Sequence, residues 1–65
     1  MFDGLPVFAV ESLKNAEKLL EEALEEENED HKNFLREKAE DEFDWAAFGG
    51  VSREYIDVIR RHYVV

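Results

Sequence analysis

The sequence predicts an all-α fold, a helical hairpin followed by a third, C-terminal helix, and three observations carry that prediction. Apolar residues recur at three- and four-residue steps through most of the chain. Capping residues stand before each repeating run. A glycine pair, Gly49 and Gly50, separates the last two runs. With 65 residues there is room for one small domain, here expected to span residues 1–65 as a single acidic helical unit.

The elements follow in order. "MFDGLPVFAV" holds the only proline, and Pro6 keeps Leu5 out of helical geometry, so the segment reads as an extended lead-in. Within it Val7 to Val10 has the composition of a short strand. Ser12 is then the expected N-cap of a first helix from Leu13 to Glu27. Leu13, Ala16, Leu19, Leu20, Ala23 and Leu24 form its apolar stripe, with Glu17, Glu21, Glu22, Glu25 and Glu26 on the remaining surface. Residues 28–32, "NEDHK", suit either a turn with a fresh helix start or the middle of one continuous helix. The hairpin is preferred, because a short, highly charged helix needs a partner to cover its leucines. The second helix runs from Asp30 to Phe48 with Leu35, Ala39, Phe43, Ala46 and Ala47 on one face. Ser52 caps a third helix to about His62, with Val51, Tyr55, Ile56, Ile59 and Tyr63 on its apolar side. The closing "YVV" can extend as a strand beside "VFAV".

Composition excludes several classes of function. Without cysteine there is no disulfide, no thiolate zinc site and no cysteine nucleophile. No apolar run approaches the ~20 residues that span a bilayer, and no basic stretch precedes the N-terminal apolar segment, so neither membrane insertion nor secretion is expected. The cytoplasm is the expected location, the host cytoplasm if the chain is phage-encoded. His31 and His62 lie in different settings with nothing to bring them together. One histidine among acids in "EDHK" lacks a metal-ligand spacing. "DHKNFLREKAED" lacks the glycine and oxygen ligands of an EF-hand loop. Ser12 and Ser52 are accounted for as caps. No glycine-rich phosphate loop is present. The chain is therefore expected to be a non-enzyme with no catalytic residue, metal or cofactor.

Charge supplies the main functional clue. The formal net charge is −9, from 17 acidic and 8 basic residues. Residues 17–30 hold eight acids against Lys18, whereas residues 51–65 hold Arg53, Arg60 and Arg61 against Glu54 and Asp57. One end repels a phosphate backbone and the other is close to neutral. On a helical wheel Phe34, Trp45 and Phe48 fall together, away from Leu35 and Ala39. Asp41 lies among them, and Glu37, Glu40 and Asp44 follow round the same side. Small domains mostly bury large aromatics, so core packing is the preferred reading. The alternative is an exposed aromatic patch rimmed by carboxylates, of the kind used as a binding hot spot or as a dimer interface.

"WAAFGGVSREYIDVI" resembles the helix-turn-helix motif class. Ala46 matches the small residue of its first helix, Gly50 the turn glycine, Val51 the buried turn residue, and Ile56 and Ile59 the apolar anchors of the reading helix. Gly49 departs from the pattern, standing where the motif usually places a buried aliphatic residue. The resemblance implies a dimeric transcriptional regulator that contacts DNA through residues 52–62, with Ser52, Arg53, Glu54 and Asp57 at the groove. In size and acidity alone, the chain also resembles small phage-encoded inhibitors that mimic nucleic-acid charge, such as blockers of CRISPR complexes, restriction enzymes and uracil-DNA glycosylase. Charge favours the second comparison, since DNA affinity rests on phosphate contacts that this surface does not favour. The expected activity is an inhibitor or adaptor engaging a basic, nucleic-acid-handling protein. Its binding residues would be Glu17, Glu21, Glu22, Glu25, Glu26, Glu29, Phe34, Asp41, Trp45 and Phe48. No direct nucleic-acid or membrane contact is expected, and a homodimer is compatible with the same surface. The bland alternative is that the glutamates form only a solvated face.

Overall fold

The computed structural model describes residues 4–63. Three helices follow one another: α1 Val7–Glu25, α2 Glu29–Phe48 and α3 Arg53–His62. The first two form an antiparallel hairpin and the third folds back against one side of it, in a body about 38 × 18 × 14 Å. Among the described residues there is no strand.

The start of α1 corrects the sequence reading. Val7 to Val10 is helical rather than extended, and Ser12 is a buried residue within the helix instead of its N-cap. Pro6 occupies the N-cap position in extended geometry (φ −66°, ψ 153°), and its carbonyl accepts from the backbone N–H groups of Ala9 and Val10. Proline is compatible with a helix start because the N–H it lacks would find no partner there. The apolar stripe also runs further back than Leu13. Ala9, Ser12, Leu13 and Ala16 share one helix face, and all four are buried. Burial of that face outweighs the modest helix propensity of Val7, Phe8 and Val10. With "VFAV" helical, a closing strand has no partner there, and Val64 and Val65 lie outside the described residues.

The hairpin turn forms as the sequence implies. α1 ends at Glu25 and α2 begins after Asn28, whose side chain accepts from the His31 N–H at 2.9 Å. Glu29 and Asp30 fill the first turn of α2, where the helix dipole favours negative charge. The seam between α1 and α2 is built largely of alanine, with Ala9, Ala16, Ala23, Ala39 and Ala46 all almost fully buried. Small side chains let the two backbones approach, while Phe43 fills the space where α3 joins them. Leu24 departs from its expected place on the stripe. It lies at the stripe's edge and is 39% exposed.

The glycine pair divides its work. Gly50 carries the left-handed conformation (φ +113°), whereas Gly49 remains right-handed (φ −77°). The turn closes through Gly50 N–H to Ala47 O and Val51 N–H to Ala46 O, both 3.0 Å. Gly49 is required for a different reason. A Cβ there would collide with the Cβ of Ala9 and crowd the Phe8 ring. Glycine therefore stands where a helix-turn-helix usually has an aliphatic residue because α1 crosses the turn at that point. Gly49→Ala is expected to destabilise the fold by about 1–3 kcal/mol through overpacking, lowering the midpoint of thermal unfolding. An unchanged midpoint would contradict the close approach of α1 to the turn.

Ser52 caps α3, its hydroxyl accepting from the Tyr55 N–H at 3.1 Å. Val51, Ile56 and Ile59 are buried as expected, and Tyr63 packs half-buried against the core. Tyr55 does not follow them, being 43% exposed. Arg60 fastens α3 to α2. Its Nε donates to Glu40 Oε2 at 2.8 Å, its Nη2 pairs with Glu40 Oε1, and its Nη1 donates to Asp57 Oδ1 at 2.7 Å. The guanidinium also lies 5.2 Å from the Phe43 ring centroid. The fork on Glu40, more than the Asp57 contact, raises the Arg60 pKa.

Candidate functional site

The hairpin has two unequal sides. On one, Leu20, Arg36, Glu40, Arg60 and Tyr63 gather where α3 lies against the hairpin. On the other, α1 and α2 border a shallow groove of about 510 Å³ lined by Asn15, Lys18, Leu19, Glu22, Lys38, Asp41, Glu42 and Trp45. No part of α3 lines this groove.

At the groove's Trp45 end, three rings form an exposed cluster. Phe8 meets Trp45 edge-on at 6.3 Å, Trp45 meets Phe48 edge-on at 6.0 Å, and Phe8 and Phe48 are 6.3 Å apart and tilted. Such distances and angles suit the ring quadrupoles. Phe8, Trp45 and Phe48 are 42%, 58% and 78% exposed, which overturns the expectation that the α2 aromatics are core. The buried volume here is already taken by alanines, Leu13 and Phe43, and small residues leave no space for a second layer of rings. Phe8 was not foreseen as a member. It becomes visible only when α1 is started at Val7, which sets Phe8 beside Gly49 and across from Trp45.

Phe34 shares the helix face of Trp45 but not the cluster. The two are separated by about 16 Å along α2. Phe34, half exposed, stacks instead on the His31 ring at 6.3 Å, with the Lys38 ammonium 5.5 Å from its ring centroid.

The acidic candidates also separate into groups. Glu22 and Asp41 line the groove with Trp45, and Glu25 lies exposed one turn beyond Glu22. Glu21 and Glu17 belong to the α3 side. The Tyr63 hydroxyl donates to Glu21 over a long 3.4 Å, and the phenol's pKa is raised, first by desolvation and then by these two carboxylates. Glu26 is engaged in the turn. It accepts from the Asn28 N–H at 3.0 Å and pairs with His31 Nδ1, and the Asn28 hydrogen bond is the chief reason its pKa is lowered. Glu29 is exposed in the first turn of α2. At the start of α3, Ser52 is occupied as the cap and Asp57 by Arg60, while Arg53 and Glu54 are exposed.

Among the described residues no three His, Asp or Glu side chains converge on a common metal position. Among the described residues no helix is long and apolar enough to cross a membrane. Comparisons with protein-family models, curated proteins and solved structures find no match to the chain.

Proposed function

We propose that this protein is a binding protein, an inhibitor or adaptor that engages a basic, nucleic-acid-handling protein and performs no catalysis. The observation that carries the reading is the open side of the hairpin: Glu22 and Asp41 line the same groove as Trp45 of the ring cluster, and Glu25 is exposed one turn beyond Glu22. A row of helix-borne carboxylates steers a basic surface and competes with a phosphate backbone for it. Exposed aromatics beside that row supply the desolvated contact that charge alone does not. A phage origin and a role against host defence accord with the size and acidity.

The test is capture from lysate by immobilised protein, with identification of what is held and competition by duplex DNA. Basic DNA- or RNA-handling proteins that duplex DNA displaces would support the reading. A captured set indifferent both to DNA and to neutralising the α1 glutamates would overturn it.

The helix-turn-helix alternative retains one favourable observation: Ala46, Val51, Ile56 and Ile59 are all buried around the turn, as that motif requires. Its reading surface is poor in cation, however. Arg60 is committed to Glu40 and Asp57, leaving Arg53 beside Glu54 at the exposed start of α3 and Arg61 exposed in its last turn. No binding to duplex DNA is expected at near-physiological salt. Sequence-specific retention of a duplex, abolished by Arg53→Ala, would reverse the ranking.

A further inference from the structure

The ring cluster is placed oddly for a solvated surface. Phe8, Trp45 and Phe48 together expose roughly 350 Å² of apolar area, taking ~200 Å² per aromatic side chain. A patch of that size on a small protein is commonly a contact site. Carboxylates surround it on the same faces. Asp41 shares the groove with Trp45, Asp44 borders Phe48 together with Arg53, and Glu11 lies one turn from Phe8 on α1.

Two occupants compete for this surface, and area and charge decide between them. A second copy would bring a further −9 and the same acidic rim against itself. It would also have to be held by a patch well short of the ~800 Å² per partner of a stable interface. A cationic segment meets neither objection. Rings beside carboxylates select among cations, because a planar guanidinium stacks on a ring while its N–H fork reaches an acid, whereas an ammonium remains strongly hydrated. The molecule already builds one such arrangement internally, with Arg60 over Phe43 and forked on Glu40. Within the groove Lys18 and Lys38 repel a cation from its middle, and Arg53 stands on the Phe48 side of the rings, so the Trp45 and Asp41 side is the favoured entry.

We propose that the Phe8–Trp45–Phe48 cluster, with Asp41 and Asp44, is the anchor that receives an arginine side chain from a basic segment of the partner protein. The proposal rests on the basic-partner reading and specifies which chemistry that partner presents. Arginine, not lysine, is the recognised group, and the glutamates of α1 act before contact rather than in it.

The test uses two synthetic amphipathic peptides of about 15 residues, long enough to form a helix when bound, identical except that every arginine of one is lysine in the other. Trp45 is the only tryptophan, so its fluorescence reports engagement of the cluster directly. The arginine peptide should shift Trp45 emission and bind about fivefold more tightly than the lysine peptide. Trp45→Ala and Phe48→Ser should each weaken the arginine peptide about tenfold, measured by anisotropy of labelled peptide. Both replaced residues are mostly exposed, so thermal melting should stay unchanged. Equal affinity for the two peptides, with no response to either substitution, would overturn the arginine anchor while leaving a diffuse basic-partner reading intact. Failure of the wild type to bind either peptide would also overturn it, with lysate capture judging the broader reading separately. A concentration-dependent dimer dissolved by Phe48→Ser would overturn it in favour of a second copy.

Discussion

Replacing Phe43 with alanine is expected to cost about 3–5 kcal/mol, enough to leave much of the chain unfolded at room temperature. Phe43 is 1% exposed and fills the junction of all three helices. Its neighbours there are chiefly alanines and β-branched residues, which cannot swing in to occupy the vacated space. The ring also lies beneath Arg60, so its loss exposes the fork that holds α3. A chain this short has a total stability of roughly 3–10 kcal/mol, and the substitution removes much of it. Far-ultraviolet circular dichroism should show a melting midpoint lower by about 15 °C or more, or no cooperative transition at all. Leu20→Ala is the useful contrast. Leu20 is only half-buried, at the edge where Arg36 and Tyr63 gather, and its removal should cost about 2 kcal/mol or less. Equal melting of wild type and Phe43→Ala would refute the three-helix core.

What the sequence disclosed depended on how periodic each segment was. The second and third helices carry regular apolar faces, so Ser52 and the glycine break could be placed from the residues alone. Residues 28–32 left the exact start of the second helix open, and the structure sets its cap at Asn28. The start of α1 was hidden because its buried face is made of small residues. Ala9 and Ser12 are weak hydrophobic signals, and Pro6 with the β-branched Val7 and Val10 points locally to extended chain. Only tertiary burial against α2 and the 49–50 turn makes helix the better state. The same error concealed Phe8. It also misplaced the α2 aromatics, since counting residues on a wheel shows which share a face but not whether a neighbouring helix covers it. Here the covering element, α3, takes the Phe43 side and leaves the Trp45 side open. Gly49 was a departure from a motif in the sequence and became a contact with Ala9 in the fold. Roles of individual acids were equally invisible, because nothing in "EEALEEENED" distinguishes Glu26, which holds the turn, from Glu22 and Glu25, which remain available.

That distinction shapes the functional experiment of largest expected effect. Glu21, Glu22 and Glu25 should be changed together to glutamine, with Glu26 left intact because its carboxylate holds Asn28 and His31 in the hairpin turn. Glutamine and glutamate have similar helix propensity, so α1 should persist. Glu21 and Glu25 are one turn apart on a helix already rich in acid, and removing their repulsion should stabilise the free protein by a few tenths of a kcal/mol. Stability and binding are therefore expected to move in opposite directions, which separates a charge effect from simple damage to the fold. Against a basic partner, long-range attraction accelerates encounter and is screened beyond about 8–10 Å at physiological salt. Three lost charges should slow association by about tenfold at low ionic strength and flatten its salt dependence, with a much smaller change in dissociation rate. Aromatic substitutions at Trp45 or Phe48 should do the reverse, raising the dissociation rate while leaving the salt slope alone. Association and dissociation rates measured across a salt series for the wild type and both classes of variant test this division of labour. Identical rates and slopes for the wild type and the three-glutamine variant would reduce the carboxylates of α1 to a solvated face and remove the electrostatic basis of the proposed function.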